Sequence, residues 1–244
     1  MKNVLTFLFV LGTMVSMAQD SDPMVTDRPT QSAASMVVPK GNAIIEYGFI
    51  HESAGDLNNL TFANLHARIG LFQGVEFRVT QNIQQTKNTV TDVKVSGLSP
   101  LTLGTKIHVI GEQGAVPQTS VIAQVTLDNG DDAFRPGEAI PEVRFNFSNT
   151  LSEFLSLGYN IGFAFPEDNT TTIYTAVLGY SFQPGWTVFA EPYGFIYDGG
   201  SDHRFNAGFI YLVKNNFQVD LTGGIGLSDI SPDSFFGFGA AIGF

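Results

Sequence analysis

From residue 43 onward the chain repeats one pattern: large apolar side chains on every second position, with glycine, serine, threonine or asparagine between them, in segments separated by turn residues. A period of two is the signature of β-strands whose two faces meet different surroundings. In the segment at 203–213, Phe205, Ala207, Phe209, Tyr211 and Val213 form one phase, and Arg204, Asn206, Gly208, Ile210 and Leu212 the other. At 154–165, Leu155, Leu157, Tyr159, Ile161 and Phe163 alternate with Ser156, Gly158, Asn160, Gly162 and Ala164. In this reading no Asp, Glu, Lys or Arg falls on the apolar phase of any segment. A soluble sandwich alternates too, but it loads its polar face with Lys and Glu. Here the second phase is small and sparsely charged, which suits a crowded lumen.

The spacing predicts strands at 43–50, 60–71, 75–83, 100–110, 118–127, 139–148, 154–165, 171–182, 186–197, 203–213, 217–226 and 235–244. Their connections alternate. FQG, GEQGAVP, NTLSE, QPG and KNN are mostly tight, whereas HESAGDLNN, QQTKNTVTDVKV, DNGDDAFRPG, PEDNT, DGGSD and SDISPDS are longer and more acidic. Short turns at one end and longer loops at the other are what an outer-membrane barrel shows. The expected fold is all-β: a transmembrane antiparallel up-and-down β-barrel of about twelve strands, occupying residues 43–244, with both termini on the periplasmic side. The last stretch, FFGFGAAIGF, is then the closing strand, with Phe236, Phe238, Ala240, Ile242 and Phe244 toward lipid. A terminal phenylalanine there resembles the signal read by the bacterial barrel-assembly machinery, so Phe244 is the candidate assembly residue.

Two segments precede the barrel. VLTFLFVLGTMV follows Lys2 and is followed by Ser16-Met17-Ala18, which predicts a signal peptide over 1–18 with cleavage before Gln19. The next residue is not cysteine, and the chain contains none, so a lipid anchor, disulfides and thiolate metal sites are not expected. Residues 19–42 carry three prolines and no period, so they do not read as a barrel strand. Thr26-Asp27-Arg28-Pro29 brings both charge signs. The segment reads either as a loose periplasmic arm or as a plug received by a lumen of mixed charge.

The charges divide accordingly. The six longer connections hold thirteen acids, among them Glu52, Asp131 and Asp202, against Lys87, Lys94 and Arg135, which accounts for −10 of the net −11. They read as solvated loops, with divalent-cation bridging at lipopolysaccharide head groups as the sharper alternative. On the lumen phase, Glu46, Glu76, Glu142, Glu191 and Asp220 face Arg68, Arg78, Lys106, Arg144 and Arg204, with His66 and His108 beside them. Equal numbers predict pairing, because an isolated charge in a narrow lumen is expensive to desolvate. Such a network either fills and rigidifies the barrel or lines a polar path.

TDRPT at 26–30, VPKGNAIIEYGF at 38–49 and GLSPLTLGTKIHV at 97–109 together resemble a family of outer-membrane proteins assigned to transport in the meta-pathway of phenol degradation. Gly97, Leu103, Gly104 and Lys106 keep its glycine-rich strand motif, and Pro100 stands where that motif has aspartate. The resemblance implies a barrel that passes a small, hydrophobic or aromatic solute. The alternative is a non-conducting structural or surface-interaction barrel.

Catalytic patterns are weak. His51-Glu52-Ser53 has the spacing of barrel phospholipases but falls in an expected loop, and Asp202-His203 is adjacent rather than spaced as in barrel proteases. The four histidines do not cluster at ligand spacing, no phosphate-binding loop is present, and the acidic balance disfavours nucleic acid. No catalytic residue, metal or cofactor is expected. The expected partners are outer-membrane lipid and lipopolysaccharide, the assembly machinery and a small solute.

Overall fold

The computed structural model describes residues 23–244; the expected signal segment and residues 19–22 lie outside the described residues. The described strands are β1 (Ala43–Ala54), β2 (Leu57–Phe72), β3 (Val75–Asn88), β4 (Lys94–Leu98), β5 (Thr102–Ile110), β6 (Gln118–Thr126), β7 (Ile140–Thr150), β8 (Leu155–Ala164), β9 (Thr171–Gln183), β10 (Trp186–Tyr197), β11 (Gly200–Lys214), β12 (Phe217–Gly226) and β13 (Ser234–Gly243). Every pairing is antiparallel, and apart from β4 and β5, which both pair with β3, each strand lies beside its neighbours in sequence. The ring closes where β1 meets β13, from Ile44 opposite Gly243 to Ser53 opposite Ser234. Ala43 and Phe244 exchange both backbone hydrogen bonds at the edge of that seam, 3.1 and 2.8 Å. Closure pairs every wall strand on both sides except along the short β4, which is what a strand-built membrane span requires.

β4 and β5 are two halves of one wall strand. β4 pairs with the outer part of β3, from Ile83 opposite Leu98, and β5 with its inner part, from Thr80 opposite Thr102. Ser99, Pro100 and Leu101 interrupt the ladder between them, where proline has no N–H to donate. The barrel therefore has twelve wall strands. The expected fourth strand, 100–110, is corrected accordingly: it starts later and continues, past the break, into residues assigned from sequence to a loop. The free edge of β4 is met by Asp131, whose Oδ2 accepts from Leu98 N at 2.8 Å while its own N–H donates to Leu98 O at 3.0 Å. Replacing Asp131 by alanine removes one of those bonds, and exchange of the Leu98 amide proton is expected to speed up about tenfold.

Two expected long loops are also strand. β1 and β2 run past residues 51–59 to a tight turn at Gly55-Asp56, and β10 and β11 turn at Asp198-Gly199. Gly55 and Gly199 have φ of +54° and +84°, the left-handed conformation tight hairpins demand. As a consequence Glu52 and Asp202, counted with the loop acids, are wall residues.

Burial is inverted relative to a soluble domain. The fully buried large side chains include Arg68, Lys106, Glu46, Glu76, Glu191, Asn146 and Asn206, while Leu65, Ile161, Leu178, Phe209, Leu221 and Phe238 are exposed. Apolar residues face outward in a belt and polar ones inward, the arrangement lipid imposes.

Candidate functional site

Residues 24–38 lie inside this ring. The segment enters at the end that carries the C-terminal Phe244, the terminal end, where Met24 N donates to Asn215 O at 2.8 Å, and it leaves at the same end. Arg68 ties the two legs together: Nη1 donates to Val25 O at 2.8 Å and Nη2 to Met36 O at 3.2 Å. A segment without regular structure must find partners for its backbone elsewhere, and here lumen side chains supply them. Glu46 accepts from Asp27 N and Arg28 N, 3.1 and 2.8 Å. Glu191 accepts from Gln31 N and Ser32 N, 2.9 and 2.7 Å, and Glu76 from Val38 N, 2.8 Å. Asn160 both accepts from Ala33 N and donates to Ala33 O, 2.7 and 3.1 Å. These carboxylates and the amide stand on β1, β10, β3 and β8, so the segment is held from several sides of the ring.

Its two adjacent charges complete two different parts of the wall, on either side of the β1–β13 seam. Asp27 lies 3.4 Å from Arg68, 2.7 Å from Arg78, 3.3 Å from Lys106 and 3.7 Å from His66, on β2, β3 and β5. Those bases also pair with Glu76 and Glu46, with Arg68 bidentate to Glu76 at 3.0 and 2.9 Å. The wall alone offers three bases against two acids, and Asp27 balances them. Burial by itself would push the Asp27 carboxyl up, but the charges of Arg68, Lys106 and Arg78 overcome it and hold that carboxyl well below the usual carboxylate range. Arg28 points the other way and pairs with Asp220 on β12 at 2.8 Å.

Arg28 reaches Asp220 across the barrel seam. Gly48 and Gly239 are cross-strand partners, and Gly239 is also opposite Asp220. A Cβ on either glycine would overlap the guanidinium. The two glycines are therefore the floor on which Arg28 lies. Gly48→Ala and Gly239→Ala are each expected to displace Arg28 from Asp220 without altering any charge. Limited proteolysis of folded protein should then cut residues 24–38 faster than in the parent.

The remaining lumen charges of the sequence analysis separate from this cluster. Glu142 and Arg144 pair with each other at 2.9 Å, and Arg144 donates to Gln31 O at 3.2 Å. Arg204 stands toward the end opposite Phe244, where the Gly55 and Gly199 turns lie and which is called the hairpin end, and it pairs with Glu52 and Asp202, 2.9 and 2.5 Å. His108 sits beside the Gln73-Gly74 turn at the terminal end and takes no part. Of the residues in the catalytic patterns, His51 stacks on Phe236 with ring centroids 5.2 Å apart, Ser53 donates to Asn58 at 3.4 Å, and His203 Nδ1 is 2.7 Å from the Tyr174 hydroxyl. Sequence reasoning missed Asn160, Thr175, Ser148 and Gln218, which bond the segment. They are neutral, so only their lumen phase could have marked them.

Beyond the segment, toward the hairpin end, lies a cavity of about 410 Å³. Pro29 and Gln31 of the segment form part of its wall, with Asn64, Asn82, Tyr193 and Phe235 among the others.

The fold is that of solved outer-membrane barrels. An outer-membrane channel from Pseudomonas putida F1 superposes with a TM-score of 0.70 at 13% identity, covering 88% of this chain and 100% of that one. The KdgM porin in complex with oligogalacturonate gives 0.57 at 13% identity over 82% and 99%, and the NanC porin 0.59 at 6% over 81% and 98%. No curated protein matches the sequence. The barrel and its neighbours place the chain in the outer membrane, and the sequence match over residues 26–244 shows that it belongs to the family described as "Putative MetA-pathway of phenol degradation".

Proposed function

We propose that the protein is a passive channel for a small solute, and that residues 24–38 are its plug. The observation that carries this reading is the pairing of Asp27 and Arg28 with two lumen walls of opposite net charge. A barrel filled only for rigidity has no need to take its filling from a segment that enters and leaves at one end. The terminal end faces the periplasm in this reading, so the plug is reachable from there. The family resemblance supports a solute with an aromatic or apolar part, and Tyr193 and Phe235 give the cavity an apolar side. The acidic hairpin-end loops face lipopolysaccharide, and Phe244 serves the assembly machinery, so deleting Phe244 should lower the yield of folded barrel in the membrane.

The test uses the lack of native cysteine. The Ser32 and Thr175 hydroxyls are 2.7 Å apart, so S32C and T175C place two thiols where a disulfide can pin the plug. Liposomes carrying this variant should swell in small sugars or alcohols only after reduction. Equal swelling in both redox states would rule out the plug. Absence of swelling even after removal of the segment would rule out the channel and favour a surface-interaction barrel.

A further inference from the structure

The cavity above the plug has two unlike sides. On one, β2 and β3 present a ladder of neutral polar pairs: Asn64 is opposite Asn82 and donates to its Oδ1 at 3.0 Å, and Thr86 donates to Asn59 at 2.8 Å. An amide has two N–H donors and a carbonyl that accepts twice. The Asn64–Asn82 bond uses one donor and one acceptor position of the pair, and both residues still line the cavity. On the other side stands Tyr193, from β10, the strand diametrically across the twelve-strand ring from β3. Its ring meets Phe235 edge-on at 6.4 Å.

Charge narrows the ligand further. Among the described residues, the only ionised groups lining the cavity, Glu52 and Arg204, pair with each other, and Arg204 also pairs with Asp202. The mouth beyond is acidic, with Asp128, Asp132, Glu138, Glu167 and Asp229 in the hairpin-end loops. An anion meets repulsion there and finds no unpaired base at the cavity. A plain hydrocarbon would strip water from the amides and return no hydrogen bond, leaving buried polar groups unpaired.

We infer that the cavity is a binding site for a neutral ring bearing several hydroxyls, its apolar side toward Tyr193 and Phe235 and its hydroxyl edge on the Asn59–Asn64–Asn82 ladder. This inference rests on the channel reading for its purpose but not for its test. A sugar and a polyhydric phenol share the chemistry, and separate arms distinguish them.

The full chain in detergent is titrated calorimetrically with maltose, with pyrogallol, with galacturonate and with toluene. Saturable binding of maltose or pyrogallol is expected, with the two others at least about tenfold weaker. The double variant N64L/N82L removes both partners of one hydrogen bond and so leaves no orphan, which preserves the fold. It should weaken the hydroxylated ligand about tenfold, and F235L should weaken it as well. A heat-modifiable gel shift identical to the parent checks the fold of each variant. Binding of toluene or galacturonate in preference, affinity unchanged in both variants, or no binding by any of the four overturns the inference. Saturable binding together with absent liposome swelling would retain the site and discard the channel.

Discussion

Deletion of residues 20–40 is expected to raise the solute flux of reconstituted protein by about an order of magnitude or more, because the segment occupies the lumen itself. The deleted stretch contains the backbone that Glu46, Glu76 and Glu191 now bind, and both charges that balance the walls. Water entering the vacated space can solvate those groups, so the barrel should survive, closed as it is by the β1–β13 seam. Its opened wall would keep Arg68, Arg78 and Lys106 on β2, β3 and β5 and Asp220 on β12. Swelling rates in matched neutral solutes measure the effect. Flux equal to that of the parent would mean that the segment does not control the path.

The second large effect is on stability. Arg68→Met is expected to cost about 3–5 kcal/mol, since it leaves buried carboxylates without their principal partner. Arg68 is fully buried and touches Glu76, Glu46, Asp27 and both legs of the segment. Urea unfolding in lipid vesicles reads the loss. Lysine at this position keeps the charge but lacks the fork that grips Glu76, so Arg68→Lys should fall between methionine and the parent. Adding Glu76→Gln to Arg68→Met should recover part of the loss, because one of the abandoned charges then disappears. If Arg68→Met were as stable as the parent, the cluster would be solvated rather than desolvated. Because Arg68 also clamps Val25 and Met36, the same variant should increase flux.

Much of this was legible in the chain. The phase of Phe205, Phe209, Phe236 and Phe238 is the lipid phase, and that of Glu46, Arg68, Glu76 and Lys106 is the lumen phase. The period-two pattern marks side because a strand has only two sides. Strand ends were less legible. His51-Glu52-Ser53 and Asp202 look like loop in a sequence because they are polar, yet they continue β1 and β11 beyond the apolar belt, where both faces tolerate polar residues. The break at Pro100 was marked by proline, but the continuation into Lys94–Leu98 was not, since a five-residue strand carries too short an alternation to stand out from the polar loop around it.

Alternation and proline placement act locally along the chain, and from them follow the barrel, its strand count, its polar interior and the mixed charge of Asp27-Arg28. The course of residues 24–38 and the charges that meet there depend on contacts far apart in sequence. Asp27 finds Arg78 and Lys106, and Arg28 finds Asp220, through partners between about 50 and 190 positions away. Ring closure sets those distances. It also put Gly48 beside Gly239, two residues at opposite ends of the barrel sequence that together make room for one guanidinium.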